Sequence, residues 1–312
     1  MPETTYSLID VGGAELHVAE MGEGQPVIFC HGFPSIWSIW RFQMKAVAAA
    51  GWRAIAPDMR GYGGSSAPWA AEAYTPFETV GDLVGLLDAL ELPSAVLVGH
   101  DFGANVAWNA AMMRPDRFDA VFGISVPPRV PDGTNFLDEL RTLGRTDFYM
   151  FAQIPQEADM AWADAAKTIR GAYYWTSGQA PEETRWSPLD PERELLRPAP
   201  EPLAAIDPAY IREAVEAFDR TGFHGALNYY RAIDLFAGSL RAFKGRVIAQ
   251  PSFFLAGAAD GLNEVTQPSP ASLHQSLPGL RGFEMLEGVG HWPQLEASDA
   301  VDRALLAFLA DL

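Results

Sequence analysis

Short apolar runs separated by helical patterns fill the first 128 residues of this 312-residue chain. In Phe77–Leu90, the residues Val80, Leu83, Leu87 and Leu90 recur at three- and four-residue spacing and share one helical face. The apolar runs are bounded by Gly, Pro, Asp or His, as buried strands are. They are Leu16–Ala19, Val27–Cys30, Arg53–Ala56, Ala95–Val98 and Val121–Ser125. This alternation predicts βαβ units around a mostly parallel sheet.

The alternation stops near residue 127 and gives way to a helical, aromatic-rich segment. Its proline-rich stretch, Pro181–Pro202, disfavours helix and predicts an extended surface loop. The elements expected after it are strands Ser252–Ala256 and Gly282–Leu286 and a helix near Asp299–Leu309. We therefore predict a two-part α/β core, residues 1–128 and 242–312, with a helical cap inserted between them at residues 129–241.

The strand Ala95–Val98 leads directly into the sequence Gly99-His100-Asp101-Phe102-Gly103, and a helical pattern follows. Small residues on both sides permit a tight strand-to-helix turn that lifts the central side chain above the sheet. Asp101 therefore stands where such turns hold a nucleophile. In the alternative interpretation, Asp101 caps the helix of an ordinary loop between a strand and a helix.

Two further residues follow Asp101 at predicted strand ends. Asp260 comes after the strand Ser252–Ala256, and His291 comes after the strand Gly282–Leu286 within GVGHW. Nucleophile, acid and histidine occur in this chain order in hydrolases that carry a strand-turn-helix nucleophile. Each residue alone could be a turn aspartate or a solvated loop histidine, but the order and strand-end positions together predict a triad.

The sequence His31-Gly32-Phe33-Pro34 follows another predicted strand end, at Cys30. Backbone N–H groups in this loop and directly after the nucleophile form the oxyanion hole of such sites. We expect Phe33 and Phe102 to supply these two donors, because Pro34 has no N–H. A simple structural turn is the alternative for this loop.

Over nearly its whole length, the chain resembles the epoxide hydrolases of the α/β-hydrolase fold. The similar strings are HGFPSIWSIWRFQ from His31, DMRGYGGSSAP from Asp58, GHDFGANVAW from Gly99, LNYYR from Leu227 and GVGHWPQLE from Gly288. Related dehalogenases share HGFP and GHDxG, so these two strings indicate the superfamily and an aspartate nucleophile. The resemblance implies the α/β-hydrolase fold and hydrolysis of a small apolar epoxide, without a metal or an organic cofactor.

Two tyrosines carry the more specific part of the resemblance. A cap tyrosine in an N-x-Y-R string binds the epoxide oxygen in this family, and Tyr230 matches it. A second family tyrosine lies early in the cap in a string like FYMLYFQEP, and Tyr149 in FYMF is similar, although the residues after it depart from the pattern. The resemblance implies that Asp101 attacks the epoxide and both tyrosines donate protons. Either tyrosine could instead pack in the cap core.

In the second half of the implied reaction, His291 activates a water molecule that hydrolyses the ester on Asp101, while Asp260 orients the imidazole. Haloalkane dehalogenases are the main alternative, but they hold the halide with side-chain donors where this chain has Phe33 and Phe102. Fluoroacetate dehalogenases carry arginines on the helix after the nucleophile, and Asn105 and Trp108 stand in this region here. A receptor without turnover would not need the triad, and a serine esterase would need serine at position 101.

The charge balance limits the possible partners. Lys and Arg total 22 against 40 Asp and Glu, a net charge of −18, which argues against nucleic acid and anionic membranes. The single cysteine, Cys30, excludes internal disulfides and cysteine-cluster metal sites. The first ten residues lack a targeting pattern, and no run of eighteen apolar residues occurs. We expect a cytoplasmic monomer or homodimer.

Overall fold

The computed structural model describes residues 3–129, 131–200, 203 and 206–312. Met1, Pro2 and Pro202, the predicted end of the proline-rich loop, lie outside the described residues. Eight strands are present in this part of the chain: β1 (Thr5–Asp10), β2 (Glu15–Met21), β3 (Pro26–Cys30), β4 (Arg53–Pro57), β5 (Ala95–His100), β6 (Phe118–Ile124), β7 (Ser252–Gly257) and β8 (Leu280–Leu286).

The described α-helices are α1 (Arg41–Ala49), α2 (Pro76–Ala89), α3 (Phe102–Met113), α4 (Phe136–Thr142), α5 (Met150–Gln153), α6 (Glu157–Trp162), α7 (Ala165–Trp175), α8 (Pro208–Thr221), α9 (His224–Phe236), α10 (Asn263–Thr266), α11 (Pro270–His274), α12 (Pro293–Glu296) and α13 (Ser298–Ala310). Short 3₁₀ helices cover Trp37–Trp40, Ala71–Tyr74 and Ser239–Phe243. None of the described helices combines the length and apolar character needed to cross a bilayer.

The strands form one sheet in the order β1-β2-β4-β3-β5-β6-β7-β8. Strand β2 pairs antiparallel with β1 and β4, and the strands from β4 through β8 pair in parallel. Helix α1 packs against α13, and α2 packs against α3. These features confirm the predicted fold, a mostly parallel central sheet flanked by helices.

Strand β1 was not among the predicted elements. Its residues are exposed on both faces, except for the half-buried Ile9, and it lies at the sheet edge. A strand that buries neither face needs no apolar run, so hydrophobic periodicity gives no signal for it. The predicted strands β2, β3, β6 and β8 also begin one to three residues before their predicted starts.

Helices α4–α9 lie between β6 and β7, in the segment predicted as the cap, and we call these helices and their connections the cap. The domain limits at 129 and 241 stay a prediction. The proline-rich stretch contains no helix or strand in its described residues, as expected. Its prediction as a surface loop is wrong in part, because Trp186, Ser187 and Pro188 are buried. The large apolar ring of Trp186 turns inward.

The parallel register determines where the chemistry lies. Strands β3, β5, β7 and β8 run in the same direction, so their carboxyl ends meet at one edge of the sheet. The predicted HGFP loop, Asp101, Asp260 and His291 follow these four strand ends. Open α/β sheets bind ligands in the crevice outside their carboxyl ends.

Candidate active site

Asp101 occupies a strained turn between β5 and α3. Its backbone has φ +54° and ψ −123°, a conformation that costs a non-glycine residue about 1–3 kcal/mol. A Cβ on Gly103 would lie 2.0 Å from the carbonyl oxygen of Cys30, and one on Gly99 would lie 2.4 Å from the carbonyl oxygen of Gly103. Both glycines are therefore required by close packing. The Asp101 side chain accepts no hydrogen bond from the helix it begins, so the helix-cap alternative is wrong.

The loop after β3 passes directly beside the Asp101 carboxylate. The backbone N–H of Phe33 donates to Oδ1 of Asp101 at 2.8 Å. A Cβ on Gly32 would lie 2.3 Å from that oxygen and 2.7 Å from the backbone nitrogen of Phe102, so only glycine fits there. The structure thus brings the backbone nitrogens of Phe33 and Phe102, the two predicted oxyanion-hole donors, to the predicted nucleophile.

His291 and Asp260 form a buried pair next to Asp101. Nδ1 of His291 lies 2.8 Å from Oδ2 of Asp260, whose other oxygen accepts the backbone N–H of Leu262 at 2.9 Å. Nε2 of His291 lies 3.6 Å from Oδ2 of Asp101, an ion-pair separation. Only 5% of the His291 surface is exposed, so it is not a solvated loop imidazole. The three predicted triad residues therefore lie together.

The two carboxylates control the protonation of His291. Burial alone would lower the pKa of His291, but the charges and contacts of Asp260 and Asp101 raise it to about 10. Burial alone would raise the pKa of Asp101, but the interaction with His291 and the Phe33 N–H bond hold it below its ordinary value. At neutral pH the resting site therefore holds an imidazolium between two carboxylates.

Several contacts that the sequence analysis did not select hold the His291 backbone. Glu296 accepts the N–H groups of Gly290 and Trp292, at 3.1 and 3.0 Å, and that of Gly178 in the cap at 2.8 Å. The N–H of His291 donates to the carbonyl oxygen of Thr176, also in the cap, at 2.9 Å. Glu296 lies inside the GVGHWPQLE string, but without coordinates nothing separates it from an ordinary helix-start acid.

The carbonyl oxygen of His291 is bonded as well. It lies 2.7 Å from Nε2 of His100 and accepts the hydroxyl of Ser125 at 3.1 Å. Burial and the neighbouring His291 lower the pKa of His100 to about 3, so His100 is neutral and donates through Nε2. Neighbours from β5, the end of β6 and the cap therefore fix His291 on all sides.

The structure places Tyr230 on α9 and Tyr149 at the start of α5. The Tyr230 ring meets Phe102 and Phe33 edge-on, with centroids 4.7 and 5.3 Å apart, and the Tyr149 ring lies 6.2 Å from that of Tyr230. Burial, followed by the neighbouring charge of Asp101, raises the pKa of Tyr149 well above its ordinary value. Burial also raises that of Tyr230. Both phenols are therefore protonated and can donate.

The adjacent tyrosine has a different environment. The hydroxyl of Tyr229 donates to the carbonyl oxygen of Arg60 at 3.1 Å, so its polar end is held by the core. Its neighbour Tyr230, the residue selected from the N-x-Y-R string, is the one that borders a cavity together with Asp101 and His291.

Two cavities meet at Asp101. The larger has a volume of about 450 Å³ and mainly apolar walls, among them Phe102, Trp108 and Ile233. The smaller has a volume of about 30 Å³ and is bordered by Asp101, Tyr149, Tyr230, His291 and Trp186, among others. The site is therefore an apolar chamber with one carboxylate, one imidazolium and two phenols at its inner end.

Comparison with known proteins agrees with this geometry. The model of the family described as alpha/beta hydrolase fold matches residues 25–298, so the chain belongs to that family. A protein named epoxide hydrolase from Caballeronia sordidicola is 54% identical over 96% of this chain and 92% of its own length. Epoxide hydrolase A from Mycobacterium tuberculosis is 39% identical over 100% of this chain and 99% of its own length. Within the fold family, the chain is a member of the epoxide hydrolases.

Solved structures give the same result. An epoxide hydrolase from an endophytic Streptomyces superposes with a TM-score of 0.91 at 35% identity, covering 98% of this chain and 95% of its own. A Vigna radiata epoxide hydrolase mutant superposes with a TM-score of 0.90 at 30% identity, covering 99% of both chains. The similarity therefore includes the cap as well as the core.

Proposed function

We propose that this epoxide hydrolase converts an apolar epoxide and water to a vicinal diol through a covalent ester on Asp101. The observation that carries the proposal is the position of Asp101, which has oxyanion-hole amides on one side, the imidazolium of His291 on another and an apolar cavity bordered by Tyr149 in front. The family membership supports the same reaction.

Ring opening uses the free oxygen of the nucleophile. Because Oδ1 of Asp101 accepts the Phe33 N–H, Oδ2 attacks an epoxide carbon from the side opposite the breaking C–O bond. The ring oxygen becomes an alkoxide and takes a proton from Tyr149 or Tyr230, whose raised pKa values keep them protonated until that moment. The products of this step are the hydroxyalkyl ester and a tyrosinate.

Ester formation removes the negative charge of Asp101 beside His291. The pKa of His291 therefore falls, and the imidazolium gives its proton to the tyrosinate. Neutral His291 then takes a proton from water, and the hydroxide attacks Cγ of Asp101. The oxyanion on Oδ1 faces the N–H groups of Phe33 and Phe102. The tetrahedral intermediate then collapses and expels the diol as an alkoxide, which takes the proton of the new Asp101 carboxylic acid. The site returns to an ionised Asp101 and a protonated His291.

A haloalkane dehalogenase with the same triad is the second function that the triad allows. Two indole N–H groups near the site are committed to protein acceptors: that of Trp108 donates to the carbonyl oxygen of Val126 at 3.0 Å, and that of Trp292 to the hydroxyl of Thr176 at 2.6 Å. Phe33 and Phe102 carry no side-chain donor. These contacts favour epoxides over haloalkanes.

A His291→Gln variant tests the proposal because it should form the ester but not hydrolyse it. We expect incubation with aryl or alkyl epoxides to add the whole epoxide mass, and peptide mapping to place it on Asp101. The matched control is the double variant with Asp101→Asn, which should remain unmodified. An alkyl adduct formed from haloalkanes with halide loss would support the dehalogenase instead, and no adduct from any epoxide would contradict the proposal.

Three other expectations belong to the same proposal. We propose a cytoplasmic enzyme that acts as a monomer or homodimer and has no nucleic-acid partner. The net charge of −18 supports the last point.

A further inference from the structure

The two cavities at Asp101 differ about fifteenfold in volume, at about 450 and 30 Å³. Both are bordered by Asp101, Tyr149 and Leu262, so they meet where the epoxide ring must lie. Accepting the proposed function, the carboxylate and the phenols determine the orientation of the ring: an attacked carbon faces Asp101 and the ring oxygen faces the tyrosines. The substituents of the two ring carbons then extend in different directions, one toward each cavity.

The small cavity has little room to spare. A space of this size holds about two water molecules, or one water molecule beside a methyl group. It borders both His291 and Asp101, so it is also where the water for ester hydrolysis must lie. A bulky substituent there would clash with the wall and displace that water. A hydrogen atom or a methyl group would permit both half-reactions.

Trp186, together with Leu195, forms the part of that wall contributed by the proline-rich loop. It is 4% exposed, and its backbone N–H donates to the carbonyl oxygen of Trp175 at 2.8 Å. Its ring meets the Tyr149 ring edge-on at 5.0 Å. A Cβ on Gly261 would lie 2.6 Å from its carbonyl oxygen and 3.0 Å from its ring, so the neighbouring loop packs against it closely. The indole is therefore held in place.

The large cavity imposes a different requirement. Its walls are mainly apolar, and the cation near its mouth, Arg129, is paired with Glu139 at 3.0 Å. Asp132 lies 3.9 Å from the same guanidinium, so the two acids outweigh the single positive charge. An anionic substrate would meet net negative charge there. The walls therefore favour a large substituent that is mainly apolar and uncharged.

We infer that Trp186 is a specificity-determining residue, and that it restricts the substrate to epoxides with one large apolar substituent and only hydrogen or methyl on the other ring carbon. This inference deepens the proposed function and rests on it. Terminal aryl or alkyl epoxides fit this description, whereas epoxides with a bulky group on each carbon do not.

A series of three substrates tests the inference with the unmodified enzyme. Styrene oxide, trans-β-methylstyrene oxide and trans-stilbene oxide place hydrogen, methyl and phenyl on the second carbon. We expect kcat/KM to be similar for the first two and roughly 100-fold lower for the third, the scale of an overpacked pocket. Equal kcat/KM for styrene oxide and trans-stilbene oxide would overturn the inference and leave the proposed function intact.

A Trp186→Ala variant tests the assignment to this residue. Because Trp186 also contacts Tyr149, the readout is the ratio of kcat/KM for trans-stilbene oxide to that for styrene oxide. We expect this ratio to rise at least about tenfold. Ile233→Ala is the matched control, since it removes an apolar side chain from the large cavity, and it should leave the ratio within about threefold of the original.

The outcomes separate the two proposals. An unchanged ratio in folded Trp186→Ala, with circular dichroism like that of the original, would overturn the role of Trp186. If Trp186→Ala does not fold, the substrate series still tests the limit on substituent size. Trp186→Phe, which keeps an aromatic ring, is then measured in its place, and we expect a smaller rise in the kcat/KM ratio. Failure of all three epoxides to form an ester in His291→Gln would contradict the proposed function itself.

Discussion

The hydrogen bond from the Phe33 N–H to Oδ1 of Asp101 makes the two oxygens of one carboxylate inequivalent. Oδ1 is held where the proposed mechanism develops an oxyanion, and Oδ2 is directed toward His291 at 3.6 Å. The nucleophile should therefore transfer Oδ2, and only Oδ2, to the product.

Isotopic labelling checks that the transferred oxygen comes from the carboxylate of Asp101. In a single turnover with enzyme in excess in H₂¹⁸O, we expect unlabelled diol and one ¹⁸O atom in the peptide that contains Asp101. After many turnovers the diol should carry the label. Label in the diol on the first turnover would mean that water attacks the epoxide directly, and the ester mechanism would be wrong.

The second prediction concerns the charge of His291. Its pKa of about 10 depends on two carboxylates, so Asp101→Asn, which removes one negative charge as ester formation does, should lower that pKa. The pKa falls because the imidazolium loses a neighbouring negative charge that stabilises it. NMR titration of the ring protons measures the shift, and His291→Gln assigns the signal. A pKa that is unchanged or raised in Asp101→Asn would contradict the proposed proton transfer.

The third prediction separates neighbouring tyrosines. Tyr230→Phe and Tyr149→Phe should each lower the rate of ester formation about 100-fold, because each removes a proton donor for the developing alkoxide. Tyr229→Phe is the matched control: its hydroxyl is bonded to Arg60, so we expect a loss of about 1 kcal/mol in stability and little change in ester formation. Stopped-flow kinetics gives the rates. Full turnover in the Tyr149→Phe, Tyr230→Phe double variant would rule out the pair.

The fourth prediction concerns Glu296, which contacts backbone on both sides of His291. In Glu296→Gln the amide NH₂ faces backbone donors, so the His291 loop should shift. We expect ester hydrolysis to slow roughly tenfold to a hundredfold, with ester formation much less affected, so the ester accumulates. Burst kinetics resolves the two steps. The exposed Glu287→Gln is the control, and an equal loss in both steps would indicate general damage to the fold instead.

The sequence predicted most of the fold because buried parallel strands are short apolar runs, as Val27–Cys30 and Ala95–Val98 show. Asp101, Asp260 and His291 were found because each follows a strand end, and parallel strands bring their carboxyl ends together. Their catalytic roles stay predictions. Strand β1 was missed because it buries no apolar face.

Trp186 and Glu296 could not be selected from the sequence for a different reason. Trp186 lies among prolines and charged residues, where an isolated tryptophan gives no periodicity, and the proline content predicts only a loop. Glu296 accepts backbone N–H groups of the cap and of the His291 loop. Every residue except proline carries such a donor, so the residue types do not indicate which ones Glu296 contacts. Such contacts are visible only in coordinates.

The bonds from the His291 loop to Thr176 and Gly178 make the position of His291 depend on two chain segments that are far apart in sequence. A chimaera that exchanges the helices between β6 and β7 for those of a relative would therefore replace part of the support for its own histidine. Successful exchange would need residues 176–178 and Glu296 to be taken from the same parent. Segment boundaries in such chimaeras should therefore be placed so that the cap residues 176–178 and the His291 loop are never taken from different parents.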